Sequence, residues 1–167
     1  MTPDVIFFKP SGWVPNNPVL PVLVYHHVTD AARDGAAAFE DRFSANGWRG
    51  LWRNGVFSYQ HYHTHAHEVL GVAEGRARLI IGGPTGEEMD VRAGDCLILP
   101  AGTGHCRISS SSDFLVIGGY PPGQHADIRR EGDGPADLAA IAAVPLPSSD
   151  PVTGPEGALV RLWREVR

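Results

Sequence analysis

Between residues 55 and 120 the chain is cut into short apolar runs by turn-forming residues, and this punctuation limits the fold more than any other feature. Val56–His63, Glu68–Val72, Arg76–Ile81, Met89–Val91, Cys96–Leu99, His105–Ser109 and Phe114–Ile117 read as strands. Gly75, Gly82-Gly83-Pro84, Arg92–Asp95, Pro100–Gly104 and Ser109–Ser112 separate them. Strands at roughly 8–12-residue spacing with turns between them make a sandwich or barrel. No crossover helix intervenes, so a parallel sheet is not expected. With 20 Gly, 14 Pro and 43% hydrophobic residues, the composition is turn-rich yet able to bury a core.

The flanks read differently. Residues 4–28 are extended and broken by prolines, with Val5–Phe8 and Val22–Tyr25 as strand candidates. Residues 31–46 form the expected N-terminal helix, capped by Asp30, with Ala36, Phe39 and Phe43 as its apolar stripe. Asn46-Gly47 stops it, and Trp48, Leu51 and Trp52 pack it onto the body. Beyond 121, Pro135 opens a short helix running to about Val144, and Ala158–Trp163 reads as a final strand. The expectation is one domain over 1–167: N-terminal strands and helix over 1–54, a barrel core over 55–120, and a C-terminal arm over 121–167.

Several function classes are excluded. No apolar run is long enough to span a membrane, and no signal peptide is read at the N-terminus. The net charge is −5 and its 14 basic residues are dispersed, which disfavours nucleic acid as a partner. Two cysteines, Cys96 and Cys106, fit a reducing cytoplasm better than a disulfide scaffold.

Four of the eight histidines fall within Gln60–Glu68. His61, His63, His65 and His67 alternate, so one continuous strand would put all four on one face and Glu68 on the other. A turn at Thr64–His67 would instead make a hairpin in which His61 and His63 meet Glu68. Two imidazoles and a carboxylate suit a divalent metal with open positions. A second stretch, Gly94–His105, reads as turn, strand, tight turn, and a histidine opening the next strand.

These two stretches resemble the motifs of the cupin superfamily. Gly55, His61, His63, Glu68 and Gly75 stand at the spacing of the first cupin motif. Gly94, Pro100, Gly102 and His105 stand at that of the second, with Ser109 where the family has Asn. Asn46-Gly47-Trp48, Trp52–Gly55, His67–Val72 and Gly119-Tyr120-Pro121 are similar to a subgroup of small bacterial cupins. The resemblance implies an all-β, RmlC-like jelly-roll barrel (a double-stranded β-helix) with one N-terminal helix and a short C-terminal helical arm. It implies a divalent transition metal, Fe, Mn, Ni or Zn, held by His61, His63, Glu68 and His105. His65 reads as an exposed turn residue. His67 stays open between ligand, turn residue and acid–base group, and it is the candidate catalytic residue. His26, His27 and His125 read as surface positions. Arg78 and Arg107 are candidate anion partners, and Tyr59, Tyr62 and Tyr120 candidate supports of the site. If Glu68 points inward, Leu70 and Val72 do too.

The function this implies is that of a small-molecule metalloenzyme of dioxygenase, isomerase or decarboxylase type. The fold does not choose among these chemistries. The alternative is a non-catalytic cupin that binds or senses a small ligand. A homodimer is expected, because cupins often pair through their sheets.

Overall fold

The structure is a computed structural model that describes residues 1–30 and 34–167. In chain order its elements are β1 (Asp4–Ile6), β2 (Val22–Tyr25), α1 (Gly35–Ala45), β3 (Arg49–Asn54), β4 (Glu68–Glu74), β5 (Arg76–Ile81), β6 (Glu87–Arg92), β7 (Cys96–Leu99), β8 (His105–Ser110), β9 (Leu115–Tyr120), α2 (Pro135–Ala143) and α3 (Ala158–Val166). Six strands form one sheet in the order β1-β2-β7-β4-β9-β3, and three form another in the order β6-β5-β8. Every pairing is antiparallel. This is the two-sheet, jelly-roll type of architecture expected from the sequence.

The period-2 geometry of a strand divides the core in two. Val22 and Val24 of β2, Leu70 and Val72 of β4, and Leu97 and Leu99 of β7 pack with Ala77, Leu79 and Ile81 of β5 between the sheets. Their neighbours Leu23, Tyr25, Val69, Cys96 and Ile98 face the other way, onto Phe39 and Phe43 of α1 and Leu159 and Trp163 of α3. The large sheet is thus buried on both faces, which is why β2 and β7 are apolar at every position rather than alternating. Glu68 shares the parity of Leu70 and Val72 and pairs across the sheet with Leu99. The alternation alone turns its carboxylate inward, between the sheets.

Three elements differ from the sequence reading. The N-cap of α1 is Asp34, whose Oδ1 accepts the Ala37 N–H at 3.1 Å. The expected helix start at 31 lies outside the described residues. Arg49–Asn54 is a strand, β3, paired with β9, and Val56–His63 is not. The latter segment passes from the edge of the large sheet to the edge of the small one. Spanning that gap, it touches strand partners only at isolated points: Phe57 accepts the Arg107 N–H at 2.9 Å, and His61 bridges His105. The third difference is α3, which is a helix where a strand was expected. Leu159, Val160 and Trp163 share one helical face and are buried, while Arg161, Arg164 and Glu165 lie exposed on the other. A strand would have put Arg161 on the same face as Leu159 and Trp163.

Buried polar anchors hold the C-terminal arm. Asp150, fully buried, accepts the Tyr25 hydroxyl at 2.6 Å and the N–H groups of Val152, Thr153 and Leu159. The last of these satisfies a first-turn donor of α3 whose cap residue, Gly157, has no side chain to offer. Trp163 Nε1 donates to the Pro21 carbonyl at 3.0 Å, and Trp48 Nε1 to Ser149 at 2.9 Å. No described helix is long and apolar enough to cross a membrane.

Candidate metal centre

The two histidine-bearing stretches meet through their backbones. His61 and His105 exchange N–H to carbonyl hydrogen bonds at 3.3 and 3.0 Å, and Gly102 donates to the His63 carbonyl at 2.7 Å. Gly102 has a φ of +92°, and a Cβ there would stand 2.8 Å from the Asn16 carbonyl oxygen, so this turn takes glycine for both reasons. The result is a cluster of His61, His63 and His105 whose ligand-offering atoms lie within 4.8 Å of one another, all buried. Glu68 Oε2 sits 3.1 Å from His63 Nε2 and 3.2 Å from His105 Nε2.

Each imidazole is oriented from behind. His61 Nδ1 bonds the Tyr59 carbonyl at 3.1 Å, His105 Nδ1 the Thr103 carbonyl at 3.0 Å, and His63 Nδ1 the Asp127 carbonyl. A carbonyl only accepts, so each Nδ1 carries its proton and leaves Nε2 free to face the cluster. That is the arrangement by which proteins orient metal-binding histidines. Asp127 is itself fixed. Its carboxylate accepts the Thr64 N–H at 2.7 Å, the Thr64 hydroxyl at 2.6 Å and the His65 N–H at 3.1 Å.

The electrostatics are those of a site that seeks a cation. Burial, then the neighbouring His105, pushes His61 down to about 3, so it is neutral at pH 7. Burial works against a charge on His63 too, but the Glu68 carboxylate overrides it and raises His63 to about 9. Burial alone would raise Glu68, yet His63 and His105 hold it well below the usual carboxylate range. Without a metal, the cluster therefore keeps a proton between His63 and Glu68, in the place a cation would take. Three imidazole nitrogens and one carboxylate oxygen match the donor preferences of divalent transition metals. The residues fit such an ion.

The cluster forms part of the wall of a cavity of about 700 Å³. Leu70, Val56, Phe57, Phe114, Trp52 and Ile128 supply apolar surface, and Arg107, Asn54 and Ser110–Ser112 a polar sector. Tyr120 donates its hydroxyl to Glu68 Oε1 at 3.3 Å and receives the Trp52 indole N–H at 2.9 Å. Burial, then the Glu68 charge, pushes Tyr120 up to about 12. Phe57 and Tyr59 stack with centroids 4.8 Å apart, and the Arg130 guanidinium lies 3.7 Å over the Tyr59 ring.

The structure brings together His61, His63, Glu68 and His105. It places His67 elsewhere, with no surface exposed and its ring 4.8 Å from Trp163, on the helix-covered side of the large sheet. Its Nδ1 accepts the Ala101 N–H at 2.9 Å, and Nε2 closes no hydrogen bond of standard geometry beside the Pro145 carbonyl. Burial pushes this ring down to about 3. His67 does not line the cavity; it holds the turn that delivers His105. His65 projects outward with its side chain 62% exposed. Arg78 faces away and pairs with Asp90, whereas Arg107 lines the cavity. Tyr59 and Tyr120 line it as well; Tyr62 turns its hydroxyl to Asp137 instead. Leu70 is a wall residue, and Val72 lies deeper between the sheets. Asp127 and Phe57 were not singled out by the sequence. Asp127 reaches the site from a segment with no motif, its carbonyl meeting His63 and its carboxylate Thr64 and His65, contacts that no local pattern marks.

Residues 51–117 match the protein family described as Cupin domain. Over 159 residues the chain is 36% identical to the uncharacterized protein YjlB of Bacillus subtilis (strain 168), covering 94% of both chains. Among solved structures, acireductone dioxygenase from Bacillus anthracis with cadmium ion in its active center aligns at TM-score 0.45 and 14% identity, over 64% of this chain and 82% of that one. Salicylate 1,2-dioxygenase from Pseudaminobacter salicylatoxidans aligns at TM-score 0.37 and 13% identity, over 48% of this chain and 24% of that one.

Proposed function

The chain belongs to the cupin superfamily, and from that premise we propose that it is a metal-dependent enzyme acting on a small molecule, with His61, His63, Glu68 and His105 as the metal ligands. One observation carries the reading. Three buried imidazoles, each pinned by a backbone carbonyl, present Nε2 beside a buried carboxylate at the wall of a cavity large enough for a substrate. The pinning turns Nε2 of His63 and His105 onto one Glu68 oxygen, a convergence of donor atoms that suits a divalent metal.

The metal, drawn from Fe, Mn, Ni and Zn, would supply Lewis-acid polarisation of a carbonyl or enolate, or a binding position for dioxygen. The chain's own residues do the rest. Leu70, Val56 and Phe114 exclude water from the reacting centre and strengthen electrostatics there. Tyr120 holds a proton at its hydroxyl beside Glu68, fixing the carboxylate's orientation. The Asp127 carbonyl fixes His63, and the Thr64 contacts fix Asp127. Oxygenation, isomerisation and decarboxylation all remain within reach of this arrangement.

Elemental analysis of protein purified without added metal tests the ligand set. About one equivalent of a transition metal is expected, lost in His63→Ala while the fold persists. Equal metal content in wild type and variant would refute the assignment. Turnover of a panel of small acids, ketones and phenols by the loaded protein tests the enzymatic part. Tight binding without conversion would favour a binding or sensing cupin.

A further inference from the structure

The cavity wall carries a second recognition element, on β8, two residues beyond His105. Among the described residues Arg107 is the one guanidinium on that wall, and it has no carboxylate partner. Its Nε donates to the Val56 carbonyl at 3.2 Å and one terminal nitrogen to Ser110 Oγ at 3.2 Å. Both acceptors are neutral, and the other terminal nitrogen has no partner among the described residues. Arg42, Arg49 and Arg167 likewise donate to neutral acceptors, all of them backbone carbonyls, but none of these three lines the cavity, and the remaining paired arginines face carboxylates. Arg53 pairs with Glu40, Arg78 with Asp90, and Arg129 with Asp127 and Asp137. Among the described residues the one carboxylate on the wall, Glu68, is already engaged by His63 and His105. Arg107 is therefore braced in place with its charge uncompensated.

We propose that Arg107 is the seat of the ligand's carboxylate, and that the protein acts on small organic acids with an apolar body. The chemistry favours a carboxylate over a phosphate. A single guanidinium offers a two-pronged fork matched to one carboxylate, and among the described residues no second arginine or lysine lines the wall to balance a dianion. Ser110 accepts from Arg107 and keeps its own O–H to donate to a ligand oxygen. Residues two apart on a strand share a face, so Arg107 and His105 look into the same space, with backbones roughly 7 Å apart along the strand. A ligand of a few bonds can reach both. Leu70, Phe57 and Phe114 then cover its carbon skeleton. The inference rests on the cavity being the substrate site, as proposed above, but not on the metal.

The test uses matched pairs: acetate and acetamide, phenylacetate and phenylacetamide, 3-phenylpropionate and its amide. Binding is measured by calorimetry and ligand-observed NMR on the full chain, both metal-free and reconstituted with Mn(II). At least one acid should bind about tenfold or more tightly than its amide in both states. Arg107→Met should erase that preference while metal content and melting temperature stay at wild-type values. Arg107→Lys, which keeps the charge but not the fork, should recover part of it. This second variant separates charge recognition from any loss of packing. The proposal falls if no acid is preferred over its amide in the wild type. It also falls if the preference persists in Arg107→Met, which would place the carboxylate on the ion instead. If metal never binds but the Arg107-dependent preference is present, the metalloenzyme reading fails and this one stands.

Discussion

Replacing Trp163 with alanine tests the structural claim that differs most from the sequence pattern, a C-terminal helix docked on the far side of the sheet that carries Glu68. The indole has no exposed surface, packs with Leu23, Phe39 and Ile98, and donates to the Pro21 carbonyl at 3.0 Å. Truncating a buried aromatic to alanine costs about 3–5 kcal/mol, because the cavity left behind collapses only in part. The orphaned Pro21 carbonyl adds about 1 kcal/mol. A chain of 167 residues has an unfolding entropy near 0.35 kcal/mol per degree at its midpoint, so melting should fall by roughly 11–17 °C. Scanning calorimetry of both proteins at one protein concentration and pH measures this. The cluster of His61, His63, Glu68 and His105 lies on the opposite face of the sheet, so any metal content measured for the wild type should be unchanged at 20 °C. A fall in melting temperature of less than about 3 °C would refute the docked helix, and loss of metal with an intact melt would refute the separation of the two faces.

Two other outcomes follow from particular contacts. Gly118→Ala would put a Cβ 2.0 Å from the Trp52 ring, forcing the indole out of its slot and breaking its bond to Tyr120. We expect about 1–3 kcal/mol of destabilisation and an altered tryptophan emission spectrum, and a wild-type melt and spectrum would contradict it. His26 joins β1 to the turn before β7 through Asp4 at 2.9 Å and Asp95 at 3.1 Å, and the bond to Asp4 is the main cause of its raised pKa. A base whose folded pKa is raised stabilises fully below its unfolded value of about 6.5, and that stability is lost as pH rises through the folded value. His26 is half exposed, so the effect is under about 1 kcal/mol. Amide exchange in Asp4–Ile6, corrected for intrinsic rates, should quicken above pH 7 in the wild type and show no such step in His26→Gln.

By itself the sequence determined the two-sheet antiparallel class of fold, the shared parity of Glu68, Leu70 and Val72, and the identity of the residues that gather around Glu68, while leaving open which way Glu68 points. These are local matters. Alternation in a strand sends every second side chain to one face, and glycines at positions 75, 94 and 102 have the positive φ their turns need. The family spacing then follows, because the positions of the three histidines and Glu68 are tied to fixed lengths of strand and turn. Tertiary structure decided the rest. His67 and His63 look equivalent in an alternating run, but the bend after His63 sends one to the cavity and the other to Trp163, and only packing on both sides settles which. The same holds for Ala158–Val166, where an apolar segment too short to display its period takes the form its docking surface rewards. Asp127 and Arg107 join the site through contacts across 64 and 51 residues of chain, each pairing a side chain with a backbone carbonyl of a kind every residue carries. Composition and spacing carry no trace of such contacts, because their energy depends on where the chain ends up in space.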